Sequence, residues 1–429
     1  MNNLSKLPAV VLGSAWLLGS SSGVPAVENR SVYSANHGTT LPGTLRKSEG
    51  QAPNSDADVE AAYTSTGAFY EGFYNFWGRD SYDGLGARIT STVHYSDNYC
   101  NAFWNGLQMV FGDGNGIDCL SYAASVDNTA HELTHAITAR ESGLIYSGES
   151  GGINESMSDI FGAFVEAWVD GGKSGVLVTS DDTWKHGEDI IAPALRYLND
   201  PAADGASADF YTSGTGNLDV HYSSGVGNLA FYLLSQGGVH PRGKSPIQVQ
   251  GIGMEKAIRI FYEANVNILT ASSNYRALRD AAVEASITLS YDRDTSRSVV
   301  CAFAAVGVVG GIGARVCESM LANGTPLVGL ADEQVGHFQH WNIDVSAGQT
   351  LTVTLAGGSG NADLYVRAGA RPNVNAFDCR PRLRGNTETC SIVADADGIY
   401  WIGVRTQAAY ADVSLLATLS TLNAPIALR

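Results

Sequence analysis

Basic residues are scarce in this chain of 429 residues: 26 Lys and Arg stand against 43 Asp and Glu, a formal net charge of -17. That sign repels phosphate backbones and anionic bilayers, which argues against nucleic acid or membrane as a partner. Cysteine is scarce too. The six residues include no CxxC unit, so a sulfur-ligated zinc site has nothing to build from. Long apolar runs are missing: Leu7 to Gly19 (LPAVVLGSAWLLG) is too short to cross a membrane. Internal repeats and low-complexity tracts are absent, which leaves ordinary globular domains.

What is present fits two or three such domains, since a chain this long with 44% hydrophobic residues can bury more than one core. The cysteines fall into sequence-close pairs: Cys100 with Cys119, Cys301 with Cys317, Cys379 with Cys390. An even count in close pairs reads as disulfides from an oxidising compartment, against the alternative of six buried thiols. The first 26 residues read as a signal peptide: Lys6, the apolar stretch, then Val24-Pro25-Ala26 with small residues at cleavage spacing. The rival reading is the remnant of a longer pro-region. Both readings point to export.

From Val27 to about Tyr122 the chain alternates in short runs broken by Gly, Asn and Asp, as in Ile89 to Tyr95 (ITSTVHY), with a helical pattern from Val59 to Trp77. After Val126 helices dominate. The spacing predicts Asp127 to Ser142, with Asp127 as N-cap, and Asn154 to Asp170 after a Gly151-Gly152 break. Further helices are expected at Ser223 to Ser235, Gly253 to Ala264 and Ser273 to Ala285. From Leu327 onward alternating strands with Gly-rich turns have the size and texture of a β-sandwich.

The segment His131-Glu132-Leu133-Thr134-His135 places two imidazoles four residues apart on one helical face, close enough to share one ion. In Asn154-Glu155-Ser156-Met157-Ser158-Asp159 two carboxylates repeat that spacing on the next helix. Glu155 can complete a two-His, one-Glu set with a position left open, as catalytic zinc requires, while Asp159 can accept the second ring N–H of His131. Glu132 can face water rather than the metal. Two surface helices would have no reason to carry matched pairs.

The run His131 to Asp159 (HELTHAITARESGLIYSGESGGINESMSD) resembles the signature of the thermolysin family of neutral metallopeptidases. The similarity extends over about Val27 to Val316, including VYSANHGTTLPGTLRKSEG from Val32, YCNAFWNGLQMVFGDGNG from Tyr99 and LDVHYSSG from Leu218. The resemblance implies an α+β, two-lobed zincin metallopeptidase: an N-terminal β-rich lobe with the zinc helix (27–145) and a helical C-terminal lobe (146–322). It implies one zinc on His131, His135 and Glu155, with Glu132 as the base toward zinc-bound water. Tyr146 and His221 would stabilise the oxyanion, Asp219 would keep His221 protonated, and Asn101, Ala102, Trp104 and Arg196 would hold the peptide.

The resemblance also implies structural calcium on Asp127, Glu166 and Glu188. Thr183 and Lys185 stand where carboxylates for a second ion would be expected, so one calcium is expected. Asn128 replaces a usual apolar residue near the pocket for the side chain after the cut, which weakens the implied preference for a bulky apolar residue there. The family is made with a long pro-region, whereas about 26 residues precede the mature-like start here. Residues 327–429 resemble the pre-peptidase C-terminal domain, through Ala362 to Arg367 (ADLYVR), Asp378-Cys379-Arg380-Pro381, Cys390 and Gly398 to Trp401 (GIYW).

The implied protein is a secreted, monomeric zinc endopeptidase acting on proteins or peptides. A silent binding or adhesion protein on the same fold is the alternative, disfavoured by the presence of Glu132, Tyr146 and His221. An aminopeptidase would need acidic residues to capture a free amine, and no motif supplies them.

Overall fold

The structure, a computed structural model, describes residues 28–309, 317 and 320–421; the leader segment at 1–26 lies outside the described residues. A five-stranded sheet begins the fold, with β1 (Arg30–Ser34), β2 (Thr44–Ser48), β3 (Ile89–Val93), β4 (Ala102–Trp104) and β5 (Met109–Phe111) in the order β2-β1-β3-β5-β4. β1, β3 and β5 run parallel, while β2 and β4 are antiparallel edges.

Between β2 and β3 lies helix α1 (Ala57–Trp77). Asp56 caps it by accepting the amides of Asp58 and Val59, and Gly78 ends it at φ 65°, returning its N–H to Phe73 and Tyr74. Its aromatic face reaches across the molecule: Phe73 meets Phe161 at 5.4 Å and Trp77 stacks on Tyr262 at 4.2 Å. Burying each such ring contributes about 1.5–3 kcal/mol.

Two helices then set the cleft, α2 (Val126–Arg140) and α3 (Gly148–Asp170). Ser125, not Asp127, is the N-cap of α2, accepting the Asn128 amide; Asp127 sits in the first turn. Helix α3 starts six residues before the expected Asn154, and Gly151-Gly152 is inside it rather than a break. A Cβ on Gly151 would meet Val220 Cγ1 at 2.4 Å, and one on Gly152 would meet Ser223 Oγ at 2.3 Å. These glycines are there for close packing.

A small antiparallel pair, β6 (Lys185–His186) and β7 (Arg196–Tyr197), leads to α4 (Val220–Ser223), α5 (Gly225–Gln236), α6 (Met254–Glu263), α7 (Tyr275–Thr288) and α8 (Arg293–Ala305). The sequence reading missed α8, whose opening turns are polar. Asp292 caps it, and its face is buried through Val299 and Phe303.

The last section is all β: β8 (Leu327–Asp332), β9 (Phe338–Val345), β10 (Gln349–Ala356), β11 (Ser359–Ala368), β12 (Glu388–Val393) and β13 (Gly398–Thr421). The first part of β13 pairs with β9 and β11, and its later part with β10 and β8. Leu351, Val353 and Leu355 point inward and alternate with threonines, as in a strand buried on one face. Its core is separate from that of the preceding residues. All six cysteines are joined as expected from sequence. Among the described residues no helix is long and apolar enough to cross a membrane.

Candidate functional site

Helices α2 and α3 face each other with their four-residue pairs aligned. The Nε2 atoms of His131 and His135 lie 3.1 Å apart, and each is 3.4 Å from an oxygen of Glu155. Glu155 is fully buried, and its Oε2 has no hydrogen-bond partner. A buried carboxylate oxygen without a donor is costly unless a cation faces it. Two neutral imidazoles and one carboxylate are the donor set of a catalytic zinc, so these residues fit the ion.

The orientation of both imidazoles is fixed from behind. Asp159 Oδ1 receives His131 Nδ1 at 2.8 Å, and Asn154 Oδ1 receives His135 Nδ1 at 2.7 Å. Asp159 is held in turn by Arg196, whose Nε and Nη2 reach it at 2.9 and 2.6 Å, and by Asn228 Nδ2 at 2.8 Å. Burial opposes the charge of Asp159, but Arg196, His186 and His131 outweigh it and hold the carboxyl well below the usual range. Glu155 is likewise depressed, because His131, His135 and Arg196 offset its burial. His131 answers in the other direction. Burial disfavours its charge, yet hydrogen bonds to Asp159 and Glu155 push it up to about 10.

Glu132 stands apart from the three. Its Oε2 accepts the amide of Trp104 at 3.0 Å, an N–H on the outer edge of β4. A cavity of about 610 Å³ opens beside it, lined by Asn101, Ala102, Trp104, Glu132, Tyr146 and His221 among others. The Tyr146 hydroxyl donates to Glu155 and lies 3.3 Å from His221 Nε2. Burial and the Glu155 charge push its phenol up, so it keeps its proton. Asp219 Oδ1 takes His221 Nδ1 at 2.7 Å. Arg196 is turned onto Asp159 rather than presented on the cavity lining. Asn128 is buried, and its side-chain nitrogen has no partner.

Asp127, Glu166 and Glu188 converge separately on a cavity of about 280 Å³. Glu166 Oε2 and Glu188 Oε2 are buried without partners. Burial and the Asp127 charge push Glu166 up to about 9 and Glu188 up to about 8. Crowded oxygens of this kind suit calcium. Lys185 does not enter: its Nζ lies 2.6 Å from Asp182.

Sequence reasoning missed His186, Asn228 and the support role of Asn154. His186 is buried, with Nδ1 3.1 Å from Asp127 and 3.8 Å from Asp159, so it stands between the two clusters. Nothing local marks it or Asn228, because their partners are 27 or more residues away in the chain. Asn154 adjoins Glu155 and sits on the helical face opposite His135, a signal that was available.

Comparison with known proteins gives three matches to family descriptions: "Thermolysin metallopeptidase, catalytic domain" over residues 20–139, "Thermolysin metallopeptidase, alpha-helical domain" over 142–308, and "Bacterial pre-peptidase C-terminal domain" over 338–406. A bacillolysin of Brevibacillus brevis is 42% identical over 305 residues, 69% of this chain and 54% of that protein. A neutral protease of Vibrio proteolyticus is 36% identical over 77% of this chain and 50% of its own length. The chain thus spans about half the length of the curated relatives it matches. Among solved structures, the precursor of protealysin, a metalloproteinase from Serratia proteamaculans, matches with a TM-score of 0.56 at 32% identity, covering 67% of this chain and 90% of that one.

Proposed function

The chain belongs to the thermolysin family of zinc metallopeptidases, and from that premise we propose that it is a secreted, monomeric endopeptidase cutting internal peptide bonds of proteins. The observation that carries the reading is the division of labour among carboxylates: Glu155 faces the imidazoles with an unpartnered oxygen, while Glu132 is held away at the cavity by Trp104. Zinc held by His131, His135 and Glu155 supplies the Lewis acidity that polarises a carbonyl and makes water acidic.

The remaining work belongs to the chain's own residues. Glu132 takes the proton of the attacking water and passes it to the leaving amine, its reach set by the Trp104 amide. The oxyanion receives hydrogen bonds from Tyr146 and from His221, whose ring is oriented by the contact of its Nδ1 with Asp219 Oδ1. β4 is an edge strand, so an extended peptide can pair with its free side, with Asn101 and the Ala102 backbone gripping it. Arg196 forks onto Asp159 and so steadies the carboxylate behind His131. A bulky apolar side chain after the cut is the preferred one; Leu144 and Ala139 are apolar residues on the cavity lining. Calcium on Asp127, Glu166 and Glu188 ties α2 to α3.

Hydrolysis of a blocked, internally quenched peptide by the native chain and by Glu132→Gln tests this. The native chain should cleave internally and the variant should lose about 10²–10⁴-fold in kcat/KM. Equal rates, or no cleavage by a folded, zinc-loaded native chain, would sink the reading.

A further inference from the structure

Three loops that follow neighbouring parallel strands meet at one point away from the cleft. β1, β3 and β5 end at Ser34, Val93 and Phe111, and just beyond those ends stand His37, His94 and Asp113. The carboxyl ends of adjacent parallel strands are where loop side chains converge on ligands, since the chain leaves every strand on the same side. Here they do converge. His37 Nδ1 lies 3.4 Å from Asp113 Oδ2, and His94 Nδ1 lies 2.9 Å from the same oxygen. Ligand atoms of all three residues fall within 4.8 Å of one another. Donors about 2.1 Å from a tetrahedral zinc stand about 3.4 Å apart, so these spacings need only small adjustment. Asp58 Oδ2, 3.8 Å from His94 Nδ1, is in reach as a fourth donor.

The far side of His94 supports the same reading. Its Nε2 faces Asp56 Oδ2 at 3.0 Å, leaving Nδ1 toward His37 and Asp113. A carboxylate behind an imidazole is how metal sites fix a ligating ring, and Asp159 stands behind His131 in that way in the cleft. Asp56 is itself immobilised as the N-cap of α1. His37 and His94 both hold left-handed backbone, at φ 62° and 55°, a conformation that non-glycine residues seldom adopt.

We propose that His37, His94 and Asp113 form a second site for a divalent cation of the zinc class, outside the catalytic cluster. Two imidazole nitrogens select a borderline transition cation over calcium, which prefers an all-oxygen shell. The rival arrangement is an ion-pair clamp in which a proton on His94 sits among the carboxylates and no metal is taken up.

Calorimetric titration of the full chain with Zn²⁺, starting from protein with one zinc already bound and calcium saturating, separates the two. The site predicts a second equivalent in the native chain, weakened at least tenfold in His37→Asn. That variant removes an exposed ring and keeps a residue that tolerates left-handed backbone. Added Zn²⁺ should also raise the unfolding temperature of the native chain and not that of His37→Asn, while peptide hydrolysis with one zinc bound stays equal in both. No second equivalent overturns the site. So does a second equivalent that His37→Asn binds as tightly, which places the extra ion elsewhere.

Discussion

The cleft cluster is built on α2 and α3, and the cluster of Asp127, Glu166 and Glu188 takes its first two carboxylates from the same helices; both bury carboxylates, yet burial ends differently in each. In the cleft, Glu155 and Asp159 stay ionised because His131, His135 and Arg196 face them. In the other, His186 holds Asp127 low, to about 2, but Glu166 and Glu188 meet burial and neighbouring carboxylates and are pushed up to about 9 and about 8. The first cluster meets its carboxylates with the chain's own positive groups. The second lowers its charge only by taking up protons or a cation from solution. A buried acid is therefore no sign of one kind of site; what faces it decides.

The largest test of that contrast is Glu155→Gln. It removes the carboxylate to which the cleft's positive groups are matched, and activity should fall more than about a thousandfold, roughly 4 kcal/mol in the barrier, with loss of bound zinc measured by metal analysis. Retained zinc and rate would break the comparison on the cleft side. Calcium removal tests the other side. Without calcium, Glu166 and Glu188 hold protons in the folded chain that the unfolded chain releases near 4.5. The folded state then binds more protons between about 4.5 and 8–9, so stability falls as pH rises through that window. Unfolding temperature in chelator should drop from pH 5.5 to pH 8, and calcium at a hundred times its Kd should restore about 2.7 kcal/mol and flatten the slope. A flat profile in chelator would mean these carboxyls are not raised.

Asp159→Asn sharpens the comparison inside the cleft. It takes the charge from behind His131 and from the Arg196 fork, and zinc affinity should weaken by about 10–100-fold in competition with a chelator. The smallest effect is expected from Lys185→Ala. Its partner Asp182 is exposed, so stability should change by under about 1 kcal/mol, and calcium affinity should shift little. A large change would show that Lys185 acts on the carboxylates directly.

The candidate zinc cluster of His131, His135 and Glu155 was legible because helix geometry turns a four-residue spacing into a shared face, and α2 and α3 each carry one such pair. Asp219 beside His221 came from the resemblance, and its Oδ1 lies 2.7 Å from His221 Nδ1. Helix limits were less legible. Gly151-Gly152 reads as a break until Val220 and Ser223 are seen pressing on it, and Asp127 reads as a cap until Ser125 is found accepting the Asn128 amide. His186 and Asn228 were silent, since their meaning lies in contacts with Asp127 and Asp159 that only the fold creates. Arg196 was expected from resemblance alone, as a residue holding the peptide. Its fork on Asp159 shows that it supports the metal side.

β13 runs 24 residues without interruption and touches β8, β9, β10 and β11 along its length. The sandwich therefore has a spine rather than two separable halves. Force applied to its C-terminal end would load both sheets at once, and a chain cut before Gly398 would leave four strands without the neighbour they share.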